Sequence, residues 1–147
     1  MRDYGVMEQS TTVEIAAPPE RVWEVMADVE RWSEWTDTVT WVRRLDEGPL
    51  RPGSRAKINQ PKLPETEYVV TELEPGEGFT WVATGPGVLT TARHTIEGLP
   101  GGGSRVRLSV EQGGWLGSVM GRVFRGLTDR YLATEAAGLK ARCEGGR

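Results

Sequence analysis

One histidine and one cysteine in 147 residues set narrow bounds on the chemistry this chain can perform. With His94 and Cys143 alone, no Cys/His ligand set for zinc exists; a carboxylate-only metal site stays open, although no EF-hand loop is present. A nucleophile elbow needs Gly-x-Ser-x-Gly, and neither Ser104 nor Ser118 sits in one. The pairs Gly76/Gly78 and Gly85/Gly87 open no helix, so they do not form a dinucleotide fingerprint, and there is no phosphate loop. The expectation is no metal and no cofactor. For proton transfer there remains His94, whose ordinary pKa lies near 6.5, with Tyr131 and Glu135 as weaker candidates.

The elements that must position these residues are marked by turns. Ser10 to Ala17 alternates as a strand, and Pro18-Pro19 stops it. Pro19 and Glu20 suit a helix start, and Val22, Trp23, Val25 and Met26 recur at helical spacing, giving a helix over about 19–28. A second short helix over about 30–34 carries Trp32 and Trp35, read as braces against the sheet or as ligand contacts. Strands follow near 38–45, 54–60, 66–74, 78–84, 88–97 and 104–112, separated by Gly- and Pro-rich turns too short for parallel crossovers. After Gly113-Gly114 the remainder reads as one long helix from Trp115 to Arg142. Its stripe of Leu116, Met120, Val123, Leu127 and Tyr131 would lie across the concave face of the sheet. Residues 1–9 read as a flexible arm.

Strand alternation selects the inward residues. Arg93 and Glu97 should face water, which turns Ala92, His94 and Ile96 inward. Phe79 and Trp81 point in from the preceding strand, Val106, Leu108, Val110 and Gln112 from the last, and Ala56, Ile58 and Gln60 from an earlier one. The ligand-binding candidates are therefore Gln60, Phe79, Trp81, Ala92, His94, Ile96, Leu108, Val110, Met120, Val123, Leu127 and Tyr131. For His94 a satisfied interior histidine comes first, a ligand contact second and an acid or base third. If His94 faces a ligand, affinity for a neutral probe should weaken as pH falls from 8 to 5.5, and the sign reverses if Glu135 or another carboxylate pairs with the imidazolium. Glu135 reads first as a solvated helix residue.

The net charge of −3 provides no large positive field to collect nucleic acid or anionic lipid. The cluster Arg43, Arg44, Arg51, Arg55, Lys57 and Lys62 reads as a solvated sheet face before a partner surface. The first ten residues lack a signal-peptide pattern and no apolar run reaches a membrane span. A lone cysteine allows no intrachain disulfide and points to a cytoplasmic address; the expected state is a monomer or weak homodimer. The length suits a single domain over 1–147.

Several stretches resemble the START/birch-pollen-allergen (SRPBCC) superfamily in its bacterial polyketide cyclase/dehydrase-like branch. They are AAPPERVWEVMADVERWSEWT at 16–36, LRPGSRAKINQPKLP at 50–64, VVTELEPGEGFTWV at 69–82, ARHTIEG at 92–98 and RYLATEAAGLKAR at 130–142. The resemblance implies an α+β helix-grip fold: a curved seven-stranded antiparallel sheet, two short helices and a long C-terminal helix enclosing an apolar cavity. It also makes the Gln60–Pro64 corner a candidate cavity rim. Members of that superfamily bind sterols, lipids or polyketides, some catalyse cyclisation or dehydration, and others act as co-chaperones. The leading expectation is binding of a small hydrophobic or aromatic molecule of lipid, polyketide or isoprenoid type. A cyclase/dehydratase using His94, Tyr131 or Glu135 stands second, and a co-chaperone or regulatory interaction protein third.

Overall fold

A computed structural model describes residues 7–145. Seven strands form one antiparallel sheet in the order β1-β7-β6-β5-β4-β3-β2. They are β1 Met7–Ile15, β2 Trp41–Arg44, β3 Arg55–Asn59, β4 Thr66–Glu74, β5 Gly78–Gly85, β6 Val88–Gly98 and β7 Ser104–Gly113. Between β1 and β2 lie helix α1, Pro19–Ala27, and a 3-10 turn over Val29–Glu34. Proline at the start of α1 costs no hydrogen bond there, and Glu20 complements the positive helix end. Two helices close the chain: α2, Trp115–Val123, and α3, Arg125–Glu144.

The sheet curves because its strands are bent at defined places. Register shifts between Val70 and Glu72 against β5, as a bulge does when it bends a strand. At Gly78 a side chain is impossible: φ is +147°, and a Cβ would lie 2.1 Å from the His94 carbonyl oxygen. That glycine lets the start of β5 lie directly against β6.

The core fills the space between the sheet and the helices. Val22, Val25 and Met26 of α1 and Leu132, Ala136, Leu139 and Cys143 of α3 are buried with Ile15, Ile58, Val106 and Leu108 of the sheet. The α3 residues follow 4-3-4 spacing, which puts them on one face of the helix. Cys143 belongs to this core, and burial raises its thiol pKa to about 11.

Three expectations need correction. The C-terminal helix is not continuous, because Phe124 leaves helical geometry (φ −100°, ψ 19°) and divides it into α2 and α3. The stripe drawn through it is therefore misphased: Met120 and Val123 are exposed and Leu127 is only half-buried. Residues 7–9 of the supposed arm are part of β1, with Gln9 buried and its amide donating to Asp129 and to the Arg125 carbonyl. Residues 1–6 lie outside the described residues.

The basic cluster is mostly engaged locally. Arg44 pairs with Asp46, Arg55 with Glu67 and Lys57 with Glu65, while Arg43 stacks over Trp41. No described helix is long and apolar enough to cross a membrane.

Candidate functional site

A cavity of about 60 Å³ lies between the concave face of the sheet and α3. Trp81 of β5, Ala92 and His94 of β6, and Leu108 and Val110 of β7 contribute walls, as strand alternation requires of same-face neighbours. Ile58 and Gln60 close it near the β3–β4 corner, Tyr68 enters from β4 and Trp32 from the 3-10 turn. Leu132 and Glu135 descend from α3.

The walls are held by aromatic packing. Tyr68 stacks on Trp81 with ring centres 5.0 Å apart, and Trp32 packs at 5.3 Å from Trp81. The Trp32 indole donates to the Met26 carbonyl at 2.9 Å, which fixes the ring and ties the 3-10 turn to α1. Phe79 lies flat against His94 at 4.3 Å, behind the cavity wall. Phe79 and Ile96 are both buried in the core, beside the cavity and not among its lining residues.

Two titratable groups in this site are driven apart from their ordinary behaviour. Burial lowers the His94 pKa to about 4, only partly offset by the contact of Nδ1 with the Phe79 carbonyl oxygen at 3.2 Å. The imidazole is therefore neutral at physiological pH, with Nδ1–H as the donor in that contact. Glu135 moves the other way: burial raises its pKa to about 7, and it makes no hydrogen bond or ion pair among the described residues. Tyr68 is raised to about 12 by burial first and by the Glu135 charge second, so it remains a neutral phenol. Glu135 therefore titrates between pH 8 and 5.5 and His94 does not, so the weakening of affinity at low pH expected of His94 is replaced by a dependence on Glu135 of the opposite sign.

Tyr131 sits apart from this wall. Its hydroxyl donates to the Pro61 carbonyl, so α3 is latched to the β3–β4 corner, where Lys62 adopts a positive φ of 69°. Of the residues singled out in the sequence, the structure brings together Trp32, Ile58, Gln60, Trp81, Ala92, His94, Leu108, Val110 and Glu135. It leaves Met120 and Val123 in solvent. Sequence reasoning missed Tyr68 and Leu132. Tyr68 was available from alternation, since it is two residues from Val70 and pairs with Ala56. Leu132 required knowing where the helix breaks. Among the described residues no cluster of His, Cys, Asp or Glu could hold a metal ion.

A curved antiparallel sheet gripping a C-terminal helix around an interior cavity defines the helix-grip class. The chain belongs to the polyketide cyclase/dehydrase and lipid transport family, whose model matches residues 7–144, within the SRPBCC superfamily. Among solved structures it is similar to the Zhui aromatase/cyclase from Streptomyces sp. R1128, with TM-score 0.76, 17% identity and coverage of 95% of this chain and 94% of that one. It is also similar to a point mutant of Thalictrum norcoclaurine synthase bound to a transition-state analogue (TM-score 0.75, 12% identity, 96% of each chain). A third relative is Ara h 8.0201, with TM-score 0.65, 12% identity and coverage of 92% and 98%. At such identities the likeness is one of fold. No curated protein matches the chain.

Proposed function

We propose that this protein binds a small apolar or aromatic molecule in the cavity beneath α3, with Glu135 as the polar group that orients it. The observation that carries this reading is the aromatic wall of Trp32, Tyr68 and Trp81 facing one carboxyl that has no hydrogen-bond or ion-pair partner among the described residues. Such a site is apolar enough to favour hydrophobic ligands and polar enough at one point to select among them. Its volume of about 60 Å³ is well below the roughly 300–1,000 Å³ of ordinary ligand pockets. A compact ring, or one end of a larger molecule, suits it as it stands. A larger ligand requires α3 to part from the β3–β4 corner, and the Tyr131–Pro61 hydrogen bond is the contact to break. The family's description as cyclase/dehydrase and lipid transport supports a ligand of this class.

The enzyme reading stands second, and one observation favours it. A carboxyl titrating at about 7 can both give and accept a proton near neutrality, as a cyclisation or dehydration needs. Glu135 is the residue for that role, and His94, held neutral against a backbone carbonyl, is a positioning group. The names aromatase/cyclase and norcoclaurine synthase, carried by two similar folds, are consistent with this second reading.

The test is to fill the cavity. An apolar naphthalene-type fluorophore should bind one-to-one, and Ala92→Leu, which places a larger side chain on the cavity wall, should abolish that binding while circular dichroism is unchanged. Undiminished binding by the Ala92→Leu variant would place the probe elsewhere.

A further inference from the structure

Helix α2 is amphipathic in the wrong direction for a packed helix. Its seat on the sheet is made of small residues: Gly117, Ser118 and Gly121 are buried. Its large apolar residues face solvent, with Trp115 75%, Val119 50% and Val123 68% exposed. At about 100° per residue those three lie within an arc of about 80° on one side of the helix. Leu89, also exposed, is at the same end of the sheet, paired with Gly113.

The orientation is fixed by the seat. A Cβ at Gly121 would lie 2.9 Å from the Met7 Cβ and 3.0 Å from the Gln112 Oε1, so larger residues cannot take its place against the sheet. The Leu116 and Gly117 amides donate to the Gly87 carbonyl, pinning the first turn. The Trp115 ring rests on the turn before β6, where a Cβ at Gly87 would come within 2.6 Å of it. The tryptophan is presented outward by contacts on its underside.

The charges beside this face are mostly positive. Arg122, Arg125 and Arg130 follow along the chain, all exposed, and make no ion pair among the described residues. The nearby acid, Asp129, accepts from the Gln9 amide at 2.7 Å and sets one carboxylate against three guanidinium groups. Elsewhere arginines are mostly paired across the sheet, as Arg93 with Glu111 and Arg105 with Glu14 and Glu97. The net charge of −3 therefore conceals a local positive rim around an apolar face.

We propose that α2 is a docking surface for an anionic lipid bilayer, inserting Trp115, Val119 and Val123 at the interface while Arg122 and Arg125 meet the headgroups. Tryptophan with aliphatic residues on one face and arginines at its border is the composition that lies in a membrane interface. The rim favours this occupant over a second copy of the chain, because self-association would bring like-charged arginines together. A nine-residue helix gives weak and reversible attachment that depends on both signals, apolar insertion and charge.

The experiment is vesicle cosedimentation of the full chain, with circular dichroism on every variant. Vesicles of phosphatidylcholine containing about one third phosphatidylserine should bind the protein, and phosphatidylcholine alone should bind it at least about tenfold more weakly. Val119→Ser with Val123→Ser should remove binding, and Arg122→Gln with Arg125→Gln should weaken it about tenfold and reduce its salt dependence. Trp115→Phe should abolish the quenching of tryptophan emission by brominated lipid while leaving the other five tryptophans unquenched. Failure to bind either vesicle overturns the proposal, as does binding that the valine variants leave intact. A concentration-dependent dimer in sedimentation velocity that Val123→Ser disperses would also overturn it, assigning the face to a second copy.

Discussion

Helices α2 and α3 follow one another with a single non-helical residue between them, yet they use apolar residues in opposite ways. Helix α3 seats Leu132, Ala136, Leu139 and Cys143 in the core and, Glu135 apart, leaves its charged residues at the surface. Helix α2 seats glycine and serine and turns tryptophan and valine outward. The difference shows that an apolar stripe marks a face that wants to leave water, without saying what will cover it. In α3 the cover is the protein's own core. In α2 the described residues supply none.

Truncation gives the largest contrast between the two. Leu139 is 1% exposed, and Leu139→Ala should cost about 2–5 kcal/mol in urea unfolding. Val123→Ala, on the outward face of α2, should stay within about 0.5 kcal/mol. Comparable losses for the two would mean that α2 packs inward in solution.

The pH dependence of stability sharpens the account of α3 and its cavity. Glu135 is raised from 4.5 to about 7, so the folded state holds its proton more tightly and stability is lost as pH rises through that interval. His94 is lowered from 6.5 to about 4, so stability is lost as pH falls through that interval. Each amounts to about 3 kcal/mol, and the two slopes oppose each other where they overlap. Thermal or urea unfolding of the native protein should therefore be nearly level between pH 4.5 and 6.5 as far as these two groups determine it. Glu135→Gln should expose a stability that rises with pH, and His94→Phe one that falls. Parallel profiles for both variants and the native chain would show that neither group is buried as described.

Glycines offer a smaller test. Replacing glycine by alanine inside a helix usually gains about 1 kcal/mol. At Gly138 of α3, however, a Cβ would lie 2.0 Å from the Trp35 carbonyl oxygen, because the helix presses on the end of the 3-10 turn. Gly138→Ala should lose about 1–3 kcal/mol, whereas Gly126→Ala, with only the Arg130 guanidinium at 3.6 Å, should gain about 0.5–1 kcal/mol. Stabilisation by both would show that α3 sits farther from the 3-10 turn.

The same pair of helices explains how much was legible in the sequence. Turns rich in Gly and Pro announced the meander, because positive φ and fixed φ leave few alternatives. Alternation placed Trp81, Ala92, His94, Leu108 and Val110 on the cavity side, since a strand has only two faces. The helical part was less readable. Leu116, Met120, Val123, Leu127 and Tyr131 form a plausible stripe only if the helix is unbroken, and nothing local to Phe124 announces a break. Once the phase slips there, Leu132 and Glu135 replace Leu127 and Tyr131 on the inner face. The environment of Glu135 depends on strands distant in sequence, so its raised pKa was not visible from helical position alone.

The central claim is that Glu135 faces the cavity with no hydrogen-bond or ion-pair partner among the described residues, and affinity measured against pH tests it most directly. Protonation removes a buried charge, so a neutral apolar fluorophore should bind more tightly as pH falls from 8 to 5.5, with the midpoint near the Glu135 value of about 7. Glu135→Gln should bind at the tighter, acid-limit affinity throughout and show no dependence on pH. Weakening affinity at low pH, or identical curves for the two proteins, would contradict the account.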